Sequence, residues 1–453
     1  MKKKAPRNLA LEILDALPPR RSTSISLVEN RLLGQASLPA RDRAFLMHLV
    51  QGVLRWRMRL DWIIGQVSDH PIKKIHPRIL NILRIGIYQI LFMDRVPDSA
   101  TVNEAVEQAK AVGLGRLAPF VNGVLRQVCR TWRTLPYPDR QEDPAGFLSV
   151  YYSYPRWLVE RWMDTWGEGF TEELLSAGNQ IPSLTLRTNT LKADRPSLIK
   201  LLAEEGVSGV PAPYAPEGVL LPEFRGRVTE LRAFKKGLFQ VQDQAAQIAS
   251  HLLRVKPGEW VLDVCAGLGG KATHLAQLME NQGGVIALDI HHGRLLDLQG
   301  AKRRLGLSRI FTVQADAGQA IANLFQYRFD RILVDAPCSG LGVLSRHPDG
   351  KWNKGEADIL RLSTLQTRIL SEAAGLLRPG GRMLYVTCTL SKEENEGVVG
   401  NFLKRKEGFT LENLRDQGPE WTRELIDEQG FFRTFPNIHG MDGFFAALFL
   451  RRR

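Results

Sequence analysis

Cysteine is nearly missing from this chain. Four occur in 453 residues, Cys129, Cys265, Cys338 and Cys388, and the nearest pair stands 50 positions apart. There is no Cys-x-x-Cys spacing and no Cys/His cluster, which argues against a disulfide framework and against any metal site, zinc included, and makes a reducing cytoplasm the expected compartment. Long apolar runs are missing too. No stretch of about 18 uncharged apolar residues exists, and the basic opening MKKKAPRNLALEIL is broken by Glu12 and Asp15, so neither secretion nor a membrane span is expected. Internal repeats and low-complexity segments are absent. What remains is ordinary globular composition, 44% hydrophobic and 24% charged, in a chain too long for a single core. Two or three domains of roughly 100 to 200 residues are expected.

Acidic residues are outnumbered, 48 against 61, for a net charge of +13, and the imbalance is local. Residues 1–140 hold 23 Lys plus Arg against 11 Asp plus Glu, a net of +12, which leaves +1 for the rest. A basic third joined to a neutral remainder suggests a polyanion-binding module attached to a domain with another task; a solvated face serving solubility would look the same. By pattern this third is all-helical, with four to seven packed helices. AFLMHLVQGVLRWRMRLDWIIGQV (44–67) places Phe45, Leu46, Leu49, Val50, Val53, Leu54, Leu60, Ile63 and Ile64 at helical spacing, with Arg55, Arg57 and Arg59 largely outside the stripe. A second helix follows Pro77. In TVNEAVEQAKAVG, Thr101 and Glu104 read as a capping box and Gly113 as a left-handed stop.

The stretch TLPYPDRQEDPAG (134–146) reads as an interdomain linker. After it, YPRWLVERWMDTWG looks helical, SLTLRTNTL alternates like a strand and DRPSLIKLLAEEG returns to helix, a small α/β module over 150–237. From 238 to 453 short apolar strands alternate with helices, the signature of a doubly wound, mainly parallel sheet covered on both faces.

In such sheets ligands bind beyond the carboxyl ends of the strands. Those ends carry Asp263 with the loop CAGLGGK (265–271), Asp289, Asp316, Asp335 with Pro337 and Cys338, and Cys388. The glycines allow a sharp strand-to-helix turn and close backbone approach to a ligand at the helix N-terminus. Alone this loop is a weak signal, since it departs from G-x-G-x-x-G. Asp289, 26 positions after Asp263, suits a ribose-binding carboxylate of a dinucleotide or S-adenosylmethionine site.

A cysteine is a competent nucleophile only as thiolate. Cys388 precedes Ser391, and Ser391 with Glu394 reads as a second capping box; a helix start there, with Lys392 alongside, would lower its pKa. A lone cysteine at a strand end is usually packing. Two at neighbouring sheet positions, beside a cofactor loop, point to chemistry. Cys129 and Cys265 read as structural.

These motifs resemble those of the cytosine-5 RNA methyltransferases, in particular the bacterial 16S ribosomal RNA enzymes of the Fmu/Sun type (B class). DVCAGLGGKATHLAQ is similar to the family's first cofactor motif, DAPCSGLGVLSRHPD to its Pro-Cys motif and VTCTLSKEENE to its Thr-Cys motif. The likeness spans nearly the whole chain: VNEAVEQAK and PFVNGVLRQV resemble a NusB-type domain, and RTFPNIHGMDGFFAALFLRR the family's ending. It implies an all-α NusB-like RNA-binding domain (1–140), a small α/β RNA-binding module (150–237) and a Rossmann-like S-adenosylmethionine-dependent methyltransferase domain (238–453). It further implies Cys388 as nucleophile toward C6 of cytosine, Cys338 as the helper in release, Asp335 and Lys271 on the base, and Cys265, Ala266, Gly267, Leu268, Gly269, Gly270, Lys271, Asp289, Asp316 and Asp335 around the cofactor. The implied partner is 16S ribosomal RNA, bound by a monomer without metal or membrane. Gly267-Leu268 stands where the family usually has Ala-Pro, which implies a looser loop, and Thr389 stands where serine is commoner.

Two other readings compete. A non-catalytic RNA-binding assembly factor would keep the fold without needing both cysteines, the lysine and the acids. A DNA cytosine-5 methyltransferase would use Cys338 as nucleophile and leave Cys388 superfluous. An amino-nitrogen methyltransferase would want Asp/Asn-Pro-Pro-aromatic after the fourth strand, which is absent.

Overall fold

The computed structural model describes residues 5–17 and 38–453. The chain divides into two compact units, one of residues up to 180 together with 344–354, the other of 181–343 and 355–453.

Among the described residues, the first unit has five helices before residue 134: Pro6–Ala16, Ala40–Val67, Pro77–Phe92, Asp98–Ala111 and Ala118–Thr131. The stripe of the long helix is buried as its spacing requires, with Leu46, Leu49, Val50, Leu60 and Ile64 at 0% exposure. Two of the three arginines outside the stripe are nonetheless taken up by other groups. Arg55 is buried and donates to the Ser345 carbonyl at 2.5 Å. Arg59 lies against the rings of Trp56, Tyr137 and Tyr151. Guanidinium groups stack on rings and snorkel along apolar surface, so leaving the stripe is not the same as facing water. Lys73, Lys74, Arg116, Arg126 and Arg130 are among the cations that stay exposed.

The capping box at Thr101 is not formed. The helix begins a turn earlier, at Asp98, and the Thr101 amide bonds to the Pro97 carbonyl inside it. Pro97 cannot continue a helix backwards, so it fixes the start. Gly113 does adopt the left-handed conformation, φ 78°. The 134–146 stretch is packed rather than a free linker: Trp62 donates to the Pro136 carbonyl, Tyr137 meets Tyr151 edge to face, and Asp143 caps the helix Pro144–Tyr152 through the Gly146 amide. Its prolines mark turns, and its aromatic residue anchors them. Helices Arg156–Trp166 and Glu168–Gly178 follow, and the short helix Gly350–Asn353 also belongs to this unit.

The second unit opens with a four-stranded antiparallel sheet, order β2-β3-β1-β4, of β1 (Leu184–Thr188), β2 (Val210–Pro211), β3 (Gly218–Leu221) and β4 (Phe239–Val241). The three-residue β4 lies just beyond residue 237, and its pairing with β1 joins it to this sheet. Helix Arg195–Glu204 covers it through Leu198 and Leu202.

The large sheet runs β10-β12-β9-β8-β5-β6-β7, with β11 beside β12. Strands β5 (Trp260–Asp263), β6 (Gly284–Asp289), β7 (Ile310–Gln314), β8 (Phe329–Asp335) and β9 (Leu377–Thr387) are mutually parallel. The chain's last strands, β10 (Phe409–Glu412), β11 (Phe432–Arg433) and β12 (Phe445–Arg451), join antiparallel. Alternate residues feed opposite cores: Val261, Leu333, Leu384 and Val386 one, Leu262, Val334, Met383 and Tyr385 the other. Both faces are therefore covered, which is why the strands read as continuous apolar runs rather than alternating ones. Strand order reverses at β5, which places the crevice of a doubly wound sheet at its carboxyl end. No helix among the described residues is long and apolar enough to cross a membrane.

Candidate active site

Three strands end on an acid at this edge: Asp263 on β5, Asp289 on β6 and Asp335 on β8. Asp316 follows the end of β7 and accepts the Gly318 amide at 2.8 Å. Asp289 stitches the glycine loop in place, accepting the Gly267 amide at 2.9 Å and the His291 amide at 2.8 Å. Gly267 and Gly269 both have positive φ, and helix Gly270–Leu278 starts directly after them. Lys271, in its first turn, donates to Asp335 at 2.8 Å. Burial works to depress this ammonium, yet Asp335, with Cys388 and Asp263 nearby, holds its pKa above the ordinary value. Phe444 lies 5.1 Å under it.

The acids converge electrostatically. Burial, reinforced by Asp335 and Asp289, pushes the Asp263 carboxyl up to about 8 despite Lys271. Both its oxygens are buried without a well-formed hydrogen bond, and only the Cys265 backbone N–H approaches them. Cys265 is likewise held well above its usual range by burial and by Asp263, Asp335, Asp289 and Asp316. A buried, unsatisfied acid beside an anchored glycine loop fits a site that takes a cationic ligand. Leu268 (59% exposed) and Ile290 (52%) supply open apolar surface next to it, as a flat heterocycle needs. These features fit S-adenosylmethionine, a sulfonium with a purine and a ribose.

The two cysteines meet. Cys338 Sγ lies 3.2 Å from Cys388 Sγ, and the Cys388 amide points to Cys338 Sγ at 3.4 Å. Cys338 is held well above its ordinary range first by the hydrogen bond with Cys388, then by burial and the Cys388 and Glu394 charges. Either sulfur can be the donor across this contact, so a proton can be shared between the two.

The pair is fixed by a residue whose sequence context pointed elsewhere. The capping box at Ser391 does not form: residues 392–395 are a turn, and the helix starts at Glu396. Glu394 instead turns back into the protein. It accepts the Ser339 amide (2.8 Å) and hydroxyl (2.5 Å), the Gln366 amide group (2.9 Å) and the Thr389 hydroxyl (3.2 Å). Ser339 follows Cys338 and Thr389 follows Cys388, so one buried carboxylate ties both loops. Its burial was the missing signal: an acid followed by Asn395, itself bonded to Thr387 and Thr389, is a polar network and not a cap. Lys392 is exposed, and Lys271 is the buried cation that the Cys388 charge reaches. Gly342 and Gly443 also matter to the site. The Gly443 amide donates to the Gly342 carbonyl at 2.8 Å, so closely that a Cβ on Gly342 would lie 2.0 Å from the Gly443 carbonyl oxygen.

Fold and strand-end chemistry together define a Rossmann-like, S-adenosylmethionine-dependent methyltransferase domain. Comparison with known proteins narrows this. The family described as 16S rRNA methyltransferase RsmB/F matches residues 250–450, the NusB family residues 4–130, and the ferredoxin-like domain of RsmF/B-like methyltransferases residues 154–226. A Bacillus subtilis protein named probable ribosomal RNA small subunit methyltransferase B is 36% identical over 99% of both chains. One of the same name from Synechocystis is 38% identical over 97% of this chain and 98% of its own. The crystal structure of PH0851 superposes with a TM-score of 0.80 at 26% identity, covering 98% of each chain. The chain belongs to the RsmB/F family of RNA methyltransferases.

Proposed function

We propose that this enzyme methylates C5 of a cytosine in 16S ribosomal RNA through a covalent bond between Cys388 and C6, with Cys338 assisting release. The observation that carries the reading is the 3.2 Å approach of two sulfurs at adjacent strand ends, beside the Lys271–Asp335 pair. Two mutually bonded thiols in an otherwise cysteine-poor chain suit a reaction that needs one sulfur to bond carbon and another to help it leave.

The chemistry explains the need. C5 of cytosine is too weak a nucleophile to take a methyl group. Addition of the Cys388 thiolate to C6 breaks the C5–C6 double bond and leaves an enamine whose C5 is electron-rich, which splits one hard step into easier ones. The target base must leave any stack to reach the sulfur. Asp335 faces the ring nitrogens and supports protonation there, while Lys271 orients Asp335 and the base. S-adenosylmethionine, held by residues 265–271 with Asp289, Asp316 and Asp335, supplies an electrophilic methyl group. The C5 proton then passes to Cys338 or to a water it holds, the C5–C6 double bond re-forms, and the carbon–sulfur bond breaks to return the Cys388 thiolate. The basic helical domain, with the small α/β module, supplies the phosphate contacts that hold the RNA.

Two variants test the roles. Cys388→Ala is expected to form no covalent adduct with ribosomal RNA on a denaturing gel. Cys338→Ala is expected to accumulate one in the presence of S-adenosylmethionine. The reverse pattern refutes the assignment.

A further inference from the structure

The structure assigns a transition-metal site to Glu217, His251 and His274, away from the cysteines. Glu217 directly precedes β3 of the small sheet, His251 lies in the last turn of helix Gln244–Leu252, and His274 lies in the middle of the helix that follows the glycine loop. One ligand atom from each lies within 4.8 Å of the others. His251 Nε2 is 2.9 Å from Glu217 Oε2. The rings of His251 and His274 stand nearly perpendicular, 86°, with centroids 5.1 Å apart, and Trp421 closes the far side of His251 at 5.2 Å.

His274 is what separates this cluster from a simple His–Glu pair. It is 0% exposed, and neither ring nitrogen has a partner. Buried polar atoms are nearly always satisfied, so an imidazole with two orphaned nitrogens beside another imidazole and a carboxylate points to an occupant.

Two imidazoles and a carboxylate are a zinc donor set that leaves one position to water. Bonds of about 2.0–2.1 Å in tetrahedral geometry put donors roughly 3.3 Å apart, between the 2.9 Å and 4.8 Å found here. Ca²⁺ and Mg²⁺ require oxygen shells that this set lacks. Arg187 is buried close by, donating to Gln242, to the Gly270 carbonyl and to Thr273. Its charge opposes any cation, which favours an ion held by strong bonds to nitrogen over one held by charge alone. Zn²⁺ is the expected occupant. Its effect would be structural: it would staple the small sheet to the helix that carries Lys271. The ligands stand 34 and 23 positions apart in sequence, outside any metal-motif spacing, so the sequence alone argued for no metal.

The full-length protein, stripped by a chelator and titrated with Co²⁺, is expected to bind one equivalent with the visible absorption of a four-coordinate site and to release it to Zn²⁺. Glu217→Gln and His251→Ala sit at the partly exposed edge of the cluster, with side chains 11% and 16% exposed, and are the variants that spare the core. Each is expected to weaken Co²⁺ binding by more than about tenfold. Replacing the exposed pair His291 and His292 by Ala is expected to leave binding unchanged. Wild-type protein that binds neither Co²⁺ nor Zn²⁺ above background overturns the site, and so does binding that persists undiminished in both Glu217→Gln and His251→Ala.

Discussion

Removing the Glu394 carboxylate should disable catalysis without touching a reacting atom. Its Oε1 accepts from the Ser339 backbone and Gln366, its Oε2 from the Ser339 and Thr389 hydroxyls. Glu394→Ala leaves the buried Ser339 N–H and the Gln366 amide without that acceptor, at about 1–3 kcal/mol for each orphaned group, and opens a cavity besides. The expected destabilisation is about 3–5 kcal/mol, the range seen when one member of a buried charged network is deleted. Glu394→Gln keeps the shape. Its oxygen can serve the two N–H donors while its NH₂ faces two hydroxyls free to turn and accept, so about 1 kcal/mol is expected. The consequence for the site is larger than for the fold. Ser339 and Thr389 are the neighbours of Cys338 and Cys388, and a displacement of about 1 Å at a reacting group lowers rate by roughly 100-fold. Transfer of labelled methyl to ribosomal RNA, at a temperature where urea titration shows Glu394→Ala fully folded, should show kcat down by about that factor in Glu394→Ala and by less than about tenfold in Glu394→Gln, with little change in KM for the methyl donor. Glu394→Ala with kcat within about twofold of wild type would show that the network holds the fold and not the sulfurs.

Two further outcomes follow from the cofactor edge. The Asp263 carboxyl is raised from 3.8 to about 8, so the stability it contributes is whole below the lower value and lost as pH climbs through the interval, with a ceiling of about 6 kcal/mol at roughly 1.4 kcal/mol per pH unit. Asp263→Asn mimics the protonated acid and should flatten the fall in urea stability between about pH 5 and 8; parallel pH profiles for the two proteins would count against the buried-acid reading. Gly269→Ala combines a φ of 80° with a Cβ that would lie 2.0 Å from the Leu298 side chain, whereas Gly267→Ala has φ 56° and nothing within 4 Å. The first should lose cofactor binding and about 2–4 kcal/mol, the second only the backbone strain of about 1 kcal/mol; equal melting temperatures would refute the distinction.

Periodicity and strand-end chemistry make most of this legible in the sequence. Residues 261–264 of WVLDV and 332–334 of RILVD are buried on both faces because the sheet is sandwiched, and the same runs announce parallel strands. Asp263, Asp289, Asp335, Cys338 and Cys388 sit at strand ends as their spacing indicates. What escaped was polar burial. Glu394 satisfies the pattern of a capping box, yet tertiary donors from Ser339 and Gln366 outcompete a local cap. Arg55 and Arg59 look solvated on a helical wheel, yet a carbonyl and a cluster of rings take them up. The Glu217–His251–His274 cluster has no sequence spacing at all, since three separate elements deliver it. Local pattern reports which face a residue is on; it does not report which distant partner waits there.

The meeting of the two sulfurs is itself a matter of sheet register. In β8 and β9 Asp335 pairs with Val386, and the ladder continues one step further, the Ala336 amide bonding to the Val386 carbonyl at 3.0 Å. Cys338 lies three residues past the first partner and Cys388 two past the second, so near-equal overhangs bring them to 3.2 Å. A slip of one residue would carry one sulfur about 3.3 Å along the strand and turn its side chain to the other face, which is enough to separate them. The connection between these strands guards against that slip. Helix Glu356–Ala374 crosses over from β8 to β9, and its Gln366 donates both to the Pro337 carbonyl, next to Cys338, and to Glu394. The element that makes the parallel pairing possible thus also locks the loop on each side of it, and the site's geometry is set by the same register that builds the core.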